Sequence, residues 1–404
     1  MRPFVPLLLL FGSLAGSPAL ADGVEAKPAS PRPLSEIVTV SGCDSCETWW
    51  PRLFPTGAAG VLVGWHLLHD DLHFTLDRYD TGGVLQESLA TVGGREFLQI
   101  GGALQRGGEV LFTATEPNRI YLEVLRPGEP PPDLLSPINA PGPGETDSGG
   151  ESWARGDRAL VVWTRVENEG SRSSVLAQFH AGSGDRLAGP IVVGESFGAS
   201  VPRGCLLPNG GAVVAWALYD QPRLPAGITP VGVAVRRLAP DGSPVGSATI
   251  VAPPDLQPLS VDAGHAVACA ADGSYFVAWT TIRSPAKQGW DVVLQRFDKL
   301  GRRRGLPRVV NSNLPGDQLQ PILLPRANGS LLVVWESPGS DGTRVLAGRR
   351  VNSAGAPLGK DFILHTASAG VDRGLFASLA DLTGSRFALG WWEGRRALLR
   401  TFAD

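Results

Sequence analysis

The sequence predicts an all-β protein built from repeated units, and three observations lead to this expectation. An apolar segment that ends in tryptophan recurs along the 404-residue chain. The copies recur about every 50 to 60 residues, a period typical of arrays in which neighbouring units bury a shared core. Asp-Gly and Asn-Gly pairs precede several copies and suit tight hairpin turns. The tryptophan-ending segments are residues 60–65, 158–163, 211–216, 274–279, 330–335 and 386–391.

The number of units follows from the spacing of these segments. The interval between Trp65 and Trp163 is about twice the usual period. Residues 109–113 lie in that interval and have the same apolar pattern, with Thr113 in the tryptophan position. Counting this copy gives seven units, each of which reads as four strands apart from the last. Four-stranded units arranged around an axis are the blades of a β-propeller, so we expect a seven-bladed propeller.

Closure of the predicted ring depends on a strand from the N-terminal region. The last unit stops after a third strand at residues 396–402, whereas residues 35–41 form a β-like segment ahead of the first unit. We expect residues 35–41 to become the outer strand of the last blade, which hides an open sheet edge. The predicted domain is a single propeller over residues 35–404, preceded by a proline-rich linker at residues 22–34.

The repeats resemble those of secreted bacterial β-propeller proteins with a Gly-x-x-Val-Val-x-Trp strand. The resemblance covers residues 35–404 and concerns architecture and repeat type, so it implies no single activity. Residues 1–21 combine Arg2, a short apolar run and a small-residue cleavage site, as in a secretory signal peptide. We therefore expect a secreted or periplasmic bacterial protein without a transmembrane segment. A formal net charge of −3 gives no basic surface for nucleic acid.

Apart from Trp392, the tryptophans fall into two groups. Those that end the repeated segments are expected to pack between blades, where large rings commonly fill the interface, and stacking on a sugar is the alternative. Four others lie outside this register, near the fourth-to-first and second-to-third strand connections. Loops of this kind carry function on rigid scaffolds. The candidate ligand-binding residues are Trp49, Trp50, Trp153 and Trp290.

Four cysteines in an exported chain favour disulfides. Cys43 and Cys46 are expected to form a local bridge, with free or redox-active thiols and a metal site as alternatives. Cys205 and Cys269 lie near the ends of inner strands in neighbouring blades. Their predicted separation is close to the disulfide limit of about 7 Å between Cα atoms, so a cross-link and two buried thiols remain equally open.

A candidate metal site lies in the turn between the second and third strands of the first unit. It contains His66, His69, Asp70 and His73. We expect His66 and His73 to share one face of the hairpin, where they are near enough to chelate a metal ion. The spacing departs from zinc-finger patterns, and a solvated polar turn is the alternative.

Function is less clearly indicated than fold, because function resides in sites carried by the scaffold. We expect a binding or scaffold module that engages a protein or carbohydrate through the loop-rich face. The alternative is a propeller hydrolase or lyase that acts on extracellular polysaccharide through carboxylates on that face. No catalytic residue stands out, and no cofactor is expected apart from the candidate metal ion.

Overall fold

The computed structural model describes most of the chain. The described residues are 30–40, 47–55, 60–68, 72–93, 99–104, 109–116, 118–126, 129, 137–167, 172–197, 201–219, 232–251, 264–281, 289–312, 316–339, 341–371, 374–383 and 385–404. They form 28 β-strands. None of them belongs to a helix long and apolar enough to cross a membrane.

The strands form seven antiparallel sheets, which are the blades of a β-propeller. Two short strands, β1 (Arg32–Pro33) and β2 (Val38–Thr39), precede the first blade. Blades one to three comprise β3 (Glu47–Pro55), β4 (Val61–Leu68), β5 (Leu72–Tyr79) and β6 (Leu85–Gly93); β7 (Gln99–Leu104), β8 (Val110–Glu116) and β9 (Arg119–Leu125); and β10 (Glu145–Arg155), β11 (Arg158–Glu167), β12 (Arg172–Ala181) and β13 (Arg186–Ser196). Blades four and five comprise β14 (Arg203–Leu206), β15 (Ala212–Leu218), β16 (Gly232–Leu238) and β17 (Pro244–Ile250); and β18 (His265–Cys269), β19 (Tyr275–Thr281), β20 (Asp291–Phe297) and β21 (Arg303–Val309). Blades six and seven comprise β22 (Leu319–Pro325), β23 (Leu331–Pro338), β24 (Arg344–Val351) and β25 (Pro357–Thr366); and β26 (Ser378–Leu382), β27 (Arg386–Glu393) and β28 (Arg396–Ala403).

The first strand of each blade lies at the centre of the ring. These inner strands contact one another in chain order from β3 to β26, and β26 contacts β3, so the ring is closed. Seven clusters of buried apolar residues fill the spaces between neighbouring blades. No blade could bury both of its faces alone, which explains why the apolar segments repeat along the sequence.

The repeated tryptophans pack between blades, as the sequence predicts. Trp163, Trp279, Trp335 and Trp391 are completely shielded from solvent. Each lies in the second strand of its blade and belongs to the cluster shared with the preceding blade; Trp279, for example, packs in the cluster of blades four and five. The rings thus serve as the core of the array.

The ring closes through the N-terminal region, as predicted. Strands β1 and β2 both pair with β28, the third strand of blade seven. Pairing begins at Arg32, ahead of the expected residue 35, and is interrupted at Ser35. There the side-chain oxygen of Ser35 accepts a hydrogen bond from the backbone N–H of Thr401 at 3.0 Å, in place of a regular ladder contact. One outer strand is therefore divided into two short ones.

Blade two departs from the repeat. Its described residues form three strands, and the outer position is limited to one bridge between Tyr121 and Pro137. Next to this bridge, the side-chain oxygen of Asn139 accepts a hydrogen bond from Ile120 N–H at 2.7 Å. The assignment of Thr113 to the tryptophan position is wrong by one residue. Ala114 packs in the cluster shared with blade one, just as each tryptophan packs in the cluster shared with its preceding blade. The Thr113 hydroxyl instead forms a hydrogen bond with the hydroxyl of Ser152 in blade three.

Candidate functional site

A cluster of charged side chains lies on the inner strands, where they surround the central channel. Arg52, Glu151 and Arg203 belong to β3, β10 and β14. Each is paired across its hairpin with the residue that precedes the blade's tryptophan, namely Gly64, Val162 and Ala215. The repeat therefore brings the three side chains to one level of the channel.

The two arginines share one carboxylate oxygen. Arg52 Nη2 donates to Glu151 Oε1 at 2.8 Å, and Arg203 Nη1 donates to the same oxygen. Arg52 of blade one reaches Glu151 of blade three across the inner strand of blade two. At the equivalent register position this strand carries Gly101, which is paired with Thr113. A residue without a side chain at that point leaves room for the ion pair between blades one and three.

The three side chains differ in their access to solvent. The Glu151 side chain is 6% exposed, whereas the side chains of Arg52 and Arg203 are 30% and 31% exposed. Arg203 is the first residue of β14, so this level lies where the connections from the outer strands return to the channel. A ligand at this end of the channel would meet the cations before the carboxylate.

The environment keeps the Glu151 carboxyl ionised. Burial acts to raise its pKa, but the charges of Arg203 and Arg52 and their hydrogen bonds outweigh burial and lower the pKa below its usual value. A carboxylate held in this way is a poor proton donor at neutral pH. It can act as a base only when its arginine contacts are weakened.

His265 completes the cluster from blade five. It is the first residue of β18, and its Nε2 lies 3.4 Å from the carbonyl oxygen of Ala215. Burial, followed by the charge of Arg203, lowers the pKa of His265 to about 4. The imidazole is therefore neutral at physiological pH and adds no third cation beside the arginines. We call Arg52, Glu151, Arg203 and His265 the channel cluster.

The predicted ligand-binding tryptophans occupy different environments. Trp49 and Trp50 lie in β3, where the pairing with β4 is irregular between Trp49 and Arg52, close in sequence to the channel cluster. Their side chains, which carry the prediction, are outside the described part of the protein. Trp290 is half-buried just before β20, and its carbonyl accepts a hydrogen bond from Gln318 N–H at 2.8 Å.

Trp153 lies in a different place from the one expected. It is in β10, opposite Leu160 and near the hairpin that joins β10 to β11, rather than in the connection that leads into β10. The ring is half-buried against blade four, and a Cβ atom built on Gly204 would lie 3.0 Å from two of its atoms. Packing accounts for this side chain more directly than the loop position that the sequence suggested.

The candidate metal site is only partly described. Pairing of β4 with β5 places His66 opposite Phe74 and His73 opposite Leu67. The two histidines therefore occupy neighbouring rungs of the ladder, which alternate between faces, and not the one face of the hairpin that the sequence predicts. His69 and Asp70 lie outside the described residues. Within the described ranges, no group of three or more His, Cys, Asp or Glu side chains gathers in a way that would hold a metal ion.

The structure resolves one of the two cysteine questions. Cys205 and Cys269 form a disulfide between blades four and five, so the cross-link is the correct alternative. Cys43 and Cys46 lie outside the described residues, and their bridge stays a prediction.

The channel cluster was missed by sequence reasoning because its members are far apart in the chain. Glu151 follows an irregularity in the pairing of β10, between Ser148 and Glu151, which obscures its register relative to Arg203. Glu151 also lies 12 residues before its tryptophan, whereas Arg52 and Arg203 lie 13 residues before theirs, so counting back from the tryptophans does not align the three. Asp147, another carboxylate of β10, is fully buried and bound by Arg165 at 2.8 Å.

Comparison with known proteins supports the fold and leaves the family open. No protein-family model and no curated protein matches the chain. Among solved structures, a polysaccharide lyase described as an ulvan lyase, bound to GlcA(1-4)Rha3S, is 11% identical, with 89% of this chain and 94% of that chain covered and a TM-score of 0.57. An α-L-arabinanase from Penicillium chrysogenum, complexed with arabinobiose, is 12% identical, with 92% and 98% covered and a TM-score of 0.47. At these identities the likeness concerns the fold alone.

Proposed function

We propose that this protein takes an anionic polysaccharide into the end of the channel that holds the channel cluster, and cleaves it as a lyase. The observation that carries the proposal is the pair of accessible arginines, Arg52 and Arg203, on either side of a shielded Glu151. Two guanidinium groups directed at one point suit a substrate carboxylate, which accepts paired hydrogen bonds from arginine. The fold neighbour bound to GlcA(1-4)Rha3S, a ligand that contains a uronic acid, supports the same choice of substrate.

Elimination suits the channel cluster better than hydrolysis. A glycosidase generally needs one carboxylic acid that protonates the leaving oxygen and a second carboxylate. The channel cluster contains a single carboxyl group, whose pKa is lowered in the free protein, so it does not supply this pair. Elimination from a uronic acid instead needs cations that neutralise the sugar carboxylate and a base that removes the C5 proton. Arg52 and Arg203 provide the cations.

Glu151 is positioned to be the base. When a uronate carboxylate binds Arg52 and Arg203, it takes over part of their interaction with Glu151, and the pKa of Glu151 rises. Glu151 then accepts the C5 proton, the C4–C5 double bond forms and the C4–O bond breaks. The proton passes from Glu151 to the departing oxygen, which restores the carboxylate. The arrangement therefore activates the base only when substrate is bound.

The reaction products distinguish the alternatives. Purified protein would be incubated with uronate polysaccharides and with neutral glucans, and both reducing ends and the ultraviolet absorbance of unsaturated uronate would be followed. A lyase raises both signals with uronate substrates only, and Arg203→Gln lowers them while Arg186→Gln on an outer strand does not. Reducing ends without absorbance indicate a hydrolase. Retardation of the protein in a polysaccharide gel without cleavage indicates the binding module that the sequence favoured.

A further inference from the structure

The outer edge of blades four and five has an unusual composition. Strand β17 contains no charged residue, whereas β21 contains three arginines. With Lys299 and Arg302, residues 298–309 hold five basic side chains and one acidic side chain, although the whole chain has a net charge of −3. The outer strand of blade six, by comparison, carries Lys360 beside Asp361.

Apolar side chains protrude among these cations. Leu306 is 84% exposed, Leu300 58% and Ile250 56%, all large aliphatic groups. The two outer strands adjoin, because Arg303 Nη2 donates a hydrogen bond to the carbonyl oxygen of Ile250. We call Ile250, Leu300, Arg302, Arg303, Leu306 and Arg308 the rim patch.

Two charges of the rim patch have no partner among the described residues. Arg302 and Arg308 are exposed, and neither side chain forms a hydrogen bond or ion pair with another described residue. Arg304, by contrast, pairs with Asp298 at 2.8 Å. An exposed leucine and an arginine without an ion-pair partner do not stabilise the fold. Their occurrence side by side points to contact with something outside the protein.

We infer that the rim patch docks on the surface of an anionic lipid bilayer. Aliphatic side chains among cations match the two layers of such a surface, since the apolar groups enter the acyl boundary and the arginines meet the headgroups. None of the six residues of the patch is aromatic, the type that stacks on sugar rings, so a bilayer suits the patch better than a polysaccharide. The outer strands are the part of each blade farthest from the channel, so docking leaves the channel cluster free. This inference does not depend on the proposed lyase activity.

Co-sedimentation with vesicles tests the inference. The full-length protein would be mixed with vesicles of phosphatidylcholine alone or of phosphatidylcholine with phosphatidylglycerol, at low and high salt. We expect binding to the anionic vesicles only, weakened by salt. Each arginine removed should weaken it about fivefold, so Arg302→Gln with Arg308→Gln should weaken it about 25-fold. Leu306→Ser should weaken binding at both salt concentrations, because it removes an apolar contact.

Arg186→Gln, an exposed arginine on the outer strand of blade three, is the matched control and should bind like the parent protein. Equal loss in the control, equal binding to both vesicle types or no binding to either would overturn the inference. So would retention of an anionic polysaccharide by the rim patch, lost in the double arginine variant, in the absence of vesicle binding.

Discussion

Cys205 and Cys269 join the inner strands of blades four and five through a disulfide, with their Cα atoms 5.6 Å apart. The two residues are separated by 64 positions in the sequence, so the bond closes a long loop of the unfolded chain. A cross-link of this kind stabilises mainly by restricting the unfolded state. We expect Cys269→Ser to lower the free energy of unfolding by about 2 to 4 kcal/mol.

Urea unfolding of the parent protein and of single and double serine variants measures this effect. The double variant should lose about as much as either single variant, because each removes the same bond. A reduced parent protein that unfolds at the same urea concentration as the oxidised one would show that the cross-link contributes nothing.

A second prediction concerns the tryptophans between blades. Trp335 is fully buried, and its indole N–H donates to Gln318 Oε1 at 2.9 Å. Trp335→Ala should therefore cost about 3 to 5 kcal/mol, through a cavity and the loss of the hydrogen bond to Gln318. Trp335→Phe fills most of the cavity and should cost less. If Trp335→Ala unfolded at the same temperature as Trp335→Phe, the indole ring would not be filling space in the core.

A third prediction concerns ring closure. Leu34 N–H and Val40 N–H donate to the carbonyl oxygens of Thr401 and Ala397, each at 2.8 Å, so residues 32–40 cover the edge of β28. Deletion of residues 22–41 should expose that edge, lower the melting temperature and promote aggregation. Ser35→Ala, which removes one side-chain contact, should have a much smaller effect. An unchanged melting curve for the deletion would contradict closure by this segment.

Much of the fold is predictable from the sequence. The period of the tryptophan segments predicts the seven blades because each blade must bury both faces, so every unit repeats the same apolar pattern. Ring closure is also predictable, since a missing strand and an unpaired strand must be matched. The position of Ala114 was missed because blade two has no tryptophan, which removes the marker of register.

The site was harder to predict for a physical reason. Arg52, Glu151 and Arg203 meet only because the ring curves, and nothing local in the sequence marks a residue as facing the channel. Trp153 has the opposite problem, since it reads as a free aromatic in the sequence but packs against Gly204 of the next blade. A repeat sequence thus reveals its core more readily than the surface around its axis.

A fourth prediction uses the pKa of His265. The folded protein holds the pKa at about 4, below the ordinary value of 6.5. As pH falls below about 6.5, the unfolded chain binds a proton that the folded chain cannot, so stability decreases until about pH 4. The total loss is about 3 kcal/mol.

Urea unfolding across this pH range would measure the slope for the parent protein and for His265→Gln. The variant should show a flatter profile, because it lacks the titrating group. Parallel profiles for the two proteins would indicate that His265 is protonated freely in the folded state, and hence is not buried beside Arg203.

The central claim is that Arg52 and Arg203 hold Glu151 where a substrate carboxylate would bind. Glu151→Gln removes the internal negative charge but leaves both arginines in place. Calorimetric titration with a uronate oligosaccharide should therefore show binding that is about tenfold tighter than in the parent protein, because charge-assisted contacts become available to the ligand. The same variant should not cleave the oligosaccharide, and Arg203→Gln should bind it more weakly. Weaker binding by Glu151→Gln, or equal affinity of the parent protein for a neutral oligosaccharide, would contradict the claim.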